Sequence, residues 1–130
     1  MHEPQRQVAE FHAALGVTIG ETAAVRDAEL RANLIEEEAA ETVAAIRAGD
    51  LVEAIDGLCD LLYVAYGSAV SFGVDLEPFF TEIHETNLAK LGSGRRADGK
   101  VLKGNGWRPP RIREMLAVMD TDQDPVTSGR

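Results

Sequence analysis

Two acidic segments determine how this 130-residue chain is interpreted: Leu34-Ile-Glu-Glu-Glu-Ala-Ala-Glu41 and Glu53-Ala-Ile-Asp-Gly-Leu-Cys-Asp-Leu-Leu-Tyr63. The acids recur at helical spacings of three and four, along the stripe on which a helix would place its buried side chains. Ionised carboxylates turned inward repel one another and lose hydration, so they need a cation. Mg²⁺ prefers such oxygen ligands. The pattern therefore predicts a metal site inside a helical bundle, with the ligands Glu37, Glu38, Glu41, Asp56 and Asp60.

Other interpretations of the acids remain open at this point. The three glutamates are also typical of an exposed acidic patch on a Glu-rich helix. Asp60 and Cys59 have apolar neighbours in sequence, which predicts that both are buried. A buried Asp60 would then need a Tyr or Arg partner if no metal is bound. Glu53 lies on the same face as the two aspartates. A glutamate at a helix start, however, usually interacts favourably with the helix dipole and has no other role.

Few aromatic residues and long Ala-, Leu- and Glu-rich stretches predict an all-α fold, a bundle of four to five helices. Gly49 is placed to end the second helix and Asp50 to cap the third, so these two helices form an antiparallel hairpin. That hairpin brings the two acid clusters face to face. Glycines at 57 and 67 predict a close helix approach or a bend. The predicted helices span residues 4–15, 26–48, 51–72, 76–91 and 111–119.

Size and charge limit the class of protein. The length fits one domain, predicted at residues 1–119, with a disordered tail at 120–130. A formal net charge of −9 argues against a general nucleic-acid binder, which needs a basic face. One cysteine leaves no disulfide framework, and neither a secretion signal nor an apolar run of membrane-spanning length is visible. We therefore expect a soluble, cytoplasmic protein without membrane or nucleic-acid partners.

Cations concentrate in a Gly-rich C-terminal loop, where backbone N–H groups and lysines can close on phosphate oxygens. The basic residues of the loop could equally be a run of solvent-exposed charges, and Asn87 and Lys90 could equally lie at a solvent-exposed helix end. Trp107 either stacks on a ligand or pins the loop to the core. Phe11 and His12 are candidates for a base pocket, although a core Phe and a surface His are the commoner outcome. The candidate phosphate or sugar ligands are Asn87, Lys90, Arg95, Arg96, Lys100 and Lys103.

The chain resembles the MazG-like all-α nucleotide pyrophosphohydrolases, a superfamily that includes phosphoribosyl-ATP pyrophosphohydrolase. The resemblance covers about residues 10–110, and its last part is similar to phage-type and dUTP-preferring members. The residues that carry it are Glu37-Glu-Ala-Ala-Glu41, Asp60-Leu-Leu-Tyr-Val-Ala-Tyr-Gly67, Asn87-Leu-Ala-Lys90 and residues 96–103. The superfamily's mark is Glu-Glu-x-x-Glu on one helix followed by Glu-x-x-Asp on the next. With Asp60 as the Asp of the second half, its Glu would fall at Gly57, so Asp56, or else Glu53, has to replace it.

The resemblance implies hydrolysis of a nucleoside triphosphate to a monophosphate and pyrophosphate, with Mg²⁺ as cofactor and Mn²⁺ as a possible substitute. It also implies a dimer, or a dimer of dimers. Glu38 or Glu37 would accept a proton from water, and Lys90, Lys100 and Lys103 would neutralise the leaving pyrophosphate. The first expected substrate is dUTP or another pyrimidine nucleotide. The alternatives are a phosphoribosyl-ATP pyrophosphohydrolase-like enzyme, a non-catalytic nucleotide or metal binder, and a helical docking domain.

Overall fold

The computed structural model describes residues 1–104 and 106–119, and the regular structure there is helical, apart from an isolated antiparallel bridge between Arg95 and Val101. The predicted all-α fold is therefore confirmed. The tail predicted at 120–130 lies outside the described residues. The helices are α1 (Glu3–Leu15), α2 (Ala28–Arg47), α3 (Leu51–Ser71), α4 (Leu76–Leu88) and α5 (residues 112–119).

The chain divides into two compact units, Met1–Leu76 and the residues from Glu77 onward. The first unit contains α1, α2 and α3. The second contains most of α4, the basic loop and α5. Within the described part of the chain, no single helix is long and apolar enough to cross a membrane, and only α3 and α4 together, as a bent pair, reach that length and composition.

Local signals set the ends of the helices as the sequence predicts. Gly16 and Gly49 adopt a left-handed conformation with φ of 70° after α1 and α2, which a residue without a Cβ adopts at little cost. Asp50 caps α3, because its Oδ1 accepts a hydrogen bond of 3.1 Å from the backbone N–H of Glu53. Only three residues connect Arg47 to Leu51. A connection this short favours antiparallel packing of α2 and α3.

Helices α2 and α3 pack antiparallel. The Arg31 guanidinium on α2 donates to the carbonyl of Val64 at 2.9 Å and to the hydroxyl of Ser68 at 3.1 Å. Eleven residues further along α2, Thr42 lies against Gly57. The α3 residues in contact have lower numbers as the α2 residues have higher ones, so the two helices are antiparallel. The predicted hairpin is confirmed.

Helix α1 packs on α3 and makes polar contacts with the residues that follow α3. The side chain of Gln5 is buried, and its amide donates to the carbonyl of Val74 at 2.7 Å and accepts from the N–H of Leu76 at 3.0 Å. Val8 is buried, and the Phe11 ring meets the Tyr63 ring edge-on, with centroids 5.6 Å apart. These contacts hold α1 along the C-terminal half of α3.

Gly57 marks the closest approach of α2 and α3. A Cβ at this position would lie 2.5 Å from Thr42 Oγ1 and 3.0 Å from Thr42 Cα. The close approach expected at this glycine is confirmed, because the two backbones leave no room for a side chain there. Gly67, further along α3, faces side chains instead of backbone: a Cβ there would collide with the guanidinium of Arg31 and lie 3.1 Å from His12 Nε2.

We expect Gly57→Ala to lower the free energy of unfolding by about 1–2 kcal/mol. Overpacking costs about 1–3 kcal/mol, and alanine regains up to about 1 kcal/mol of helix propensity. Urea denaturation measures the change. Thr42→Ala should reduce the loss, because it removes the nearest clashing atom, Oγ1. An unchanged midpoint for Gly57→Ala would mean that the helices are further apart.

Candidate metal and phosphate sites

The α2–α3 hairpin has two chemically different faces. On α2, Glu38 and Glu41 lie to one side of Thr42, the residue that meets α3, and Val43 lies to the other. On α3, Asp56 and Asp60 lie to one side of Gly57, and Ile55 and three leucines lie to the other: Leu51, Leu58 and Leu62. Because the helices run in opposite directions, the two acid sides form one face of the hairpin and the two apolar sides form the opposite one.

Glu38 is the centre of the acid face. Its side chain is half-buried, and its Oε2 is fully buried without a hydrogen-bond partner, alone in this respect among the buried side-chain polar atoms of the described residues. Burial raises the pKa of Glu38 above its ordinary value, and four neighbouring carboxylates raise it further. In decreasing order of effect, these neighbours are Asp60, Glu41, Glu37 and Asp56. The structure thus brings the other four predicted carboxylates within electrostatic reach of Glu38.

The predicted burial of Asp60 and Cys59 is wrong, because both side chains are exposed. Apolar neighbours in sequence do not guarantee burial here, since Leu58 and Leu62 beside them are exposed as well. In the described part of the chain, α3 is covered where it meets α1, α2 and the connector between them, where the hydroxyl of Ser71 donates to the carbonyl of Thr18. The described carboxylates of the acid face other than Glu38 are therefore at the surface, where their side chains are free to rotate.

The acid face suits a hard cation by its chemistry. A buried carboxylate oxygen without a partner, surrounded by further carboxylates, is the oxygen-rich environment that Mg²⁺ prefers. Among the described residues, however, no group of three or more His, Cys, Asp or Glu side chains already forms a metal cage. Binding would require the exposed acids to turn toward Glu38.

The contact at Gly57 favours Asp56 as the replacement for the glutamate that the resemblance leads one to expect. Position 57 faces Thr42 and has no space for a carboxylate. Asp56 lies on the acid face and contributes to the raised pKa of Glu38, whereas Glu53 is not among the groups that do. The backbone N–H of Glu53 instead takes part in the cap of α3.

The second unit contains a basic cavity of about 390 Å³. A tight turn forms it, closed by the bridge between Arg95 and Val101 and by a hydrogen bond of 2.7 Å from the N–H of Arg96 to the carbonyl of Lys100. The lining residues are Lys90, Arg96, Lys100, Val101, Leu102 and Lys103. The cavity thus combines four cations with an apolar wall.

The four cations are not equivalent. Arg96 donates two hydrogen bonds to the carboxylate of Asp98, at 2.9 and 2.5 Å, which raises the pKa of Arg96 and lowers that of Asp98. Its charge is therefore compensated. Lys90, Lys100 and Lys103 form no ion pair with a carboxylate in the described part of the chain. The uncompensated charge of the cavity comes from these three lysines.

Trp107 pins the basic loop to α4. Its indole N–H donates to the carbonyl of Thr86 at 3.1 Å, and the ammonium of Lys103 lies 4.4 Å from the ring centroid.

A second contact, which the sequence did not predict, joins Glu82 of α4 to residues beyond the loop. Glu82 accepts from the Arg108 guanidinium and from the Arg111 N–H, and its pKa is lowered by both. The two arginines are 26 and 29 residues away from Glu82 in sequence, so no sequence pattern indicates these contacts.

The burial of the two N-terminal candidates is the reverse of the commoner outcome, because His12 is buried and Phe11 is exposed. His12 is 4% exposed, and its Nδ1 lies 2.9 Å from the carbonyl of Thr18, so its ring belongs to the core. Phe11 is exposed and contacts Tyr63. Asn87 and Arg95 are exposed in the second unit. The buried Arg31, which holds α2 to α3, was also missed, because an arginine on an acidic helix resembles a surface residue.

Comparison with known proteins places this helical architecture in the MazG-like all-helical superfamily. A family model described as phosphoribosyl-ATP pyrophosphohydrolase matches residues 8–87, more than half of the chain. The chain belongs to this family, which supports a nucleotide pyrophosphohydrolase activity in general. An uncharacterized protein of Acanthamoeba polyphaga mimivirus is 43% identical over 49 residues, which make up 38% of this chain and 20% of that protein.

We expect Glu38→Gln to stabilise the metal-free protein at neutral pH. Because folding raises the pKa of Glu38, the folded state loses stability as pH rises from 4.5, the ordinary value, through the raised value. Glutamine removes that loss. Thermal melts in EDTA should therefore show a higher Tm for the variant at pH 7, and a difference that vanishes below pH 4.5. A lower Tm at pH 7 would contradict the electrostatic account.

Proposed function

We propose that this protein is a Mg²⁺-dependent nucleoside triphosphate pyrophosphohydrolase, which converts a (d)NTP and water to a (d)NMP and pyrophosphate. The observation that carries the proposal is the buried, unpartnered Oε2 of Glu38 among four other carboxylates. A fold without a functional need would not keep such a concentration of like charge, because it lowers stability. Membership in a pyrophosphohydrolase family supports the same reaction.

The proposed ligands of Mg²⁺, or of Mn²⁺ in its place, are Glu37, Glu38, Glu41, Asp56 and Asp60. The ion, when bound, supplies polarisation of phosphoryl oxygens and a lowered pKa of water. Glu38 accepts the proton of the attacking water at its carboxylate, with Glu37 as the alternative acceptor one residue away. The exposed acids complete the charge needed to hold the cation at the surface of the hairpin.

The lysines of the second unit are the proposed ligands of the substrate's phosphates. Lys90, Lys100 and Lys103 carry charge that no carboxylate of the described residues compensates, so they can neutralise negative charge on pyrophosphate as it leaves. Arg96 has a different role in this proposal. Its pairing with Asp98 shapes the turn, so it positions Lys100 rather than binding phosphate. Asn87 and Arg95 remain candidate contacts to sugar or phosphate.

The proposed substrate is dUTP or another pyrimidine nucleotide, in the removal of unwanted nucleotides, on the strength of the resemblance to that branch. Phosphoribosyl-ATP is the second candidate, because the matching family model is described by that reaction. Both are nucleotide anhydrides and would use the same carboxylates and lysines. A panel of ribo- and deoxyribonucleoside triphosphates together with phosphoribosyl-ATP, scored for pyrophosphate release, separates them. A cytoplasmic location stays a prediction.

We expect Glu38→Gln and Asp60→Asn each to lower kcat for Mg²⁺-dependent pyrophosphate release by about 100-fold or more, since each removes a proton acceptor or metal charge. Lys100→Ala should lower kcat and kcat/KM, because it removes charge that stabilises pyrophosphate as it leaves. Pyrophosphate release from the best substrate of the panel measures all three effects. Far-UV circular dichroism checks that the helices persist in each variant.

Glu36→Gln is a matched control for these variants. Glu36 lies on α2 two residues before Glu38 and is not among the groups that raise the pKa of Glu38. We expect this variant to retain wild-type turnover. Full activity in both Glu38→Gln and Asp60→Asn would refute the proposal. A thermal shift with Mg²⁺ and nucleotide but without product would instead identify a nucleotide-binding module.

We also propose that the protein self-associates, as a dimer or a dimer of dimers, through the apolar face of the hairpin. Four residues of α3, spaced four, three and four apart, lie on this face and are between 47% and 71% exposed: Leu51, Ile55, Leu58 and Leu62. Val43 and Ile46 of α2 extend the same face and are exposed too. A continuous apolar helix face of this kind is typical of helix packing against a partner. A second copy supplies a partner of matching composition.

Ile55→Glu should shift the protein toward the monomer, because it places a charge in the middle of the apolar face. Sedimentation velocity over a range of protein concentrations measures the change. Val25→Glu, at an exposed position in the connector between α1 and α2, is the matched control and should leave the wild-type distribution intact. A wild-type protein that stays monomeric at every concentration would contradict self-association.

A further inference from the structure

Phe11 and Tyr63 form an exposed aromatic pair in the first unit. Their rings meet edge to face at 5.6 Å, with an interplanar angle of 82°. Phe11 is 46% exposed and Tyr63 41% exposed. An edge-to-face pair leaves ring surface uncovered, because only the edge of one ring is used in the contact. The chain has only seven aromatic residues, so two of them side by side at the surface call for an explanation.

The pair lies next to the acid face. Asp56, Asp60 and Tyr63 are spaced four and three residues apart, so they share one side of α3. Tyr63 is about 4.5 Å further along the helix axis than Asp60. Phe11, on α1, contacts Tyr63 and therefore lies beside the same part of α3. Within this one unit, an aromatic surface therefore continues the carboxylate surface along α3.

We propose that Tyr63 and Phe11 form the surface on which the nucleobase of the substrate stacks, with Tyr63 as the principal stacking residue. The inference rests on the proposed function, and it adds the two side chains that would contact the base. His12 has no such role, because its ring is buried and its Nδ1 is hydrogen-bonded to Thr18. Stacking tolerates different bases, since each has a π-face.

The test compares the kcat/KM of wild type with that of Tyr63→Leu, Phe11→Leu and the double variant on the best nucleoside triphosphate. We expect Tyr63→Leu to lower kcat/KM by about 5- to 150-fold, mostly through KM, because stacking is similar in the ground and transition states. The double variant should lose more. Tyr63→Phe should restore most of the activity, because it keeps the ring.

Inhibition by inorganic pyrophosphate is the second readout, since this product has no base. Its inhibition constant should stay at the wild-type value in each variant, whereas a merely structural role would change it. Phe80→Leu, at an exposed phenylalanine of α4, is the matched control and should behave as wild type.

The outcomes separate this inference from the proposed function. Wild-type kcat/KM in Tyr63→Leu and in the double variant, with an active wild-type enzyme, would overturn the stacking surface and leave the hydrolase intact. Equal loss in Tyr63→Phe and Tyr63→Leu, or a changed inhibition constant for pyrophosphate, would also overturn it. A wild-type protein that cleaves no nucleotide would remove both proposals.

Discussion

The close packing of α2 on α3 is the constraint on which the candidate metal site depends. Thr42 meets the backbone of Gly57, and Arg31 is held by Val64 and Ser68 further along. These two contacts fix the distance between the helices and the register in which they run antiparallel. With that register, the carboxylates of both helices fall on one face. A shift by a single residue would rotate Asp56 and Asp60 by about 100° around α3.

Charge is handled differently in the two units. In the first, four carboxylates are gathered around Glu38 without a cation of the chain among the groups that shift its pKa. In the second, Arg96 and Arg108 are each paired with an acid, and three lysines around one cavity form no ion pair with a carboxylate of the described residues. A surplus of negative charge suits a metal ion, and a surplus of positive charge suits phosphate. The proposed reaction needs both.

Sequence patterns predicted the helices well because helix formation is governed by neighbours in the chain. Asp50 was recognised as a cap and Gly49 as a helix end from local chemistry alone. Burial was predicted less well. Asp60 and Cys59 are exposed, and His12 is buried, because exposure depends on which sides of a helix other elements cover. The clamp of Glu82 on Arg108 joins residues far apart in sequence, and no periodicity marks it.

The sequence by itself determined the all-α class, the hairpin of α2 and α3 and the set of acids that share its face. Helical periodicity and a three-residue connection are sufficient for these conclusions. Only the tertiary structure decided that Glu38 alone among the five is turned inward, that Arg96 is paired with Asp98, and that Phe11 lies against Tyr63. These properties depend on side chains brought together from separate elements, and local sequence does not encode their distances.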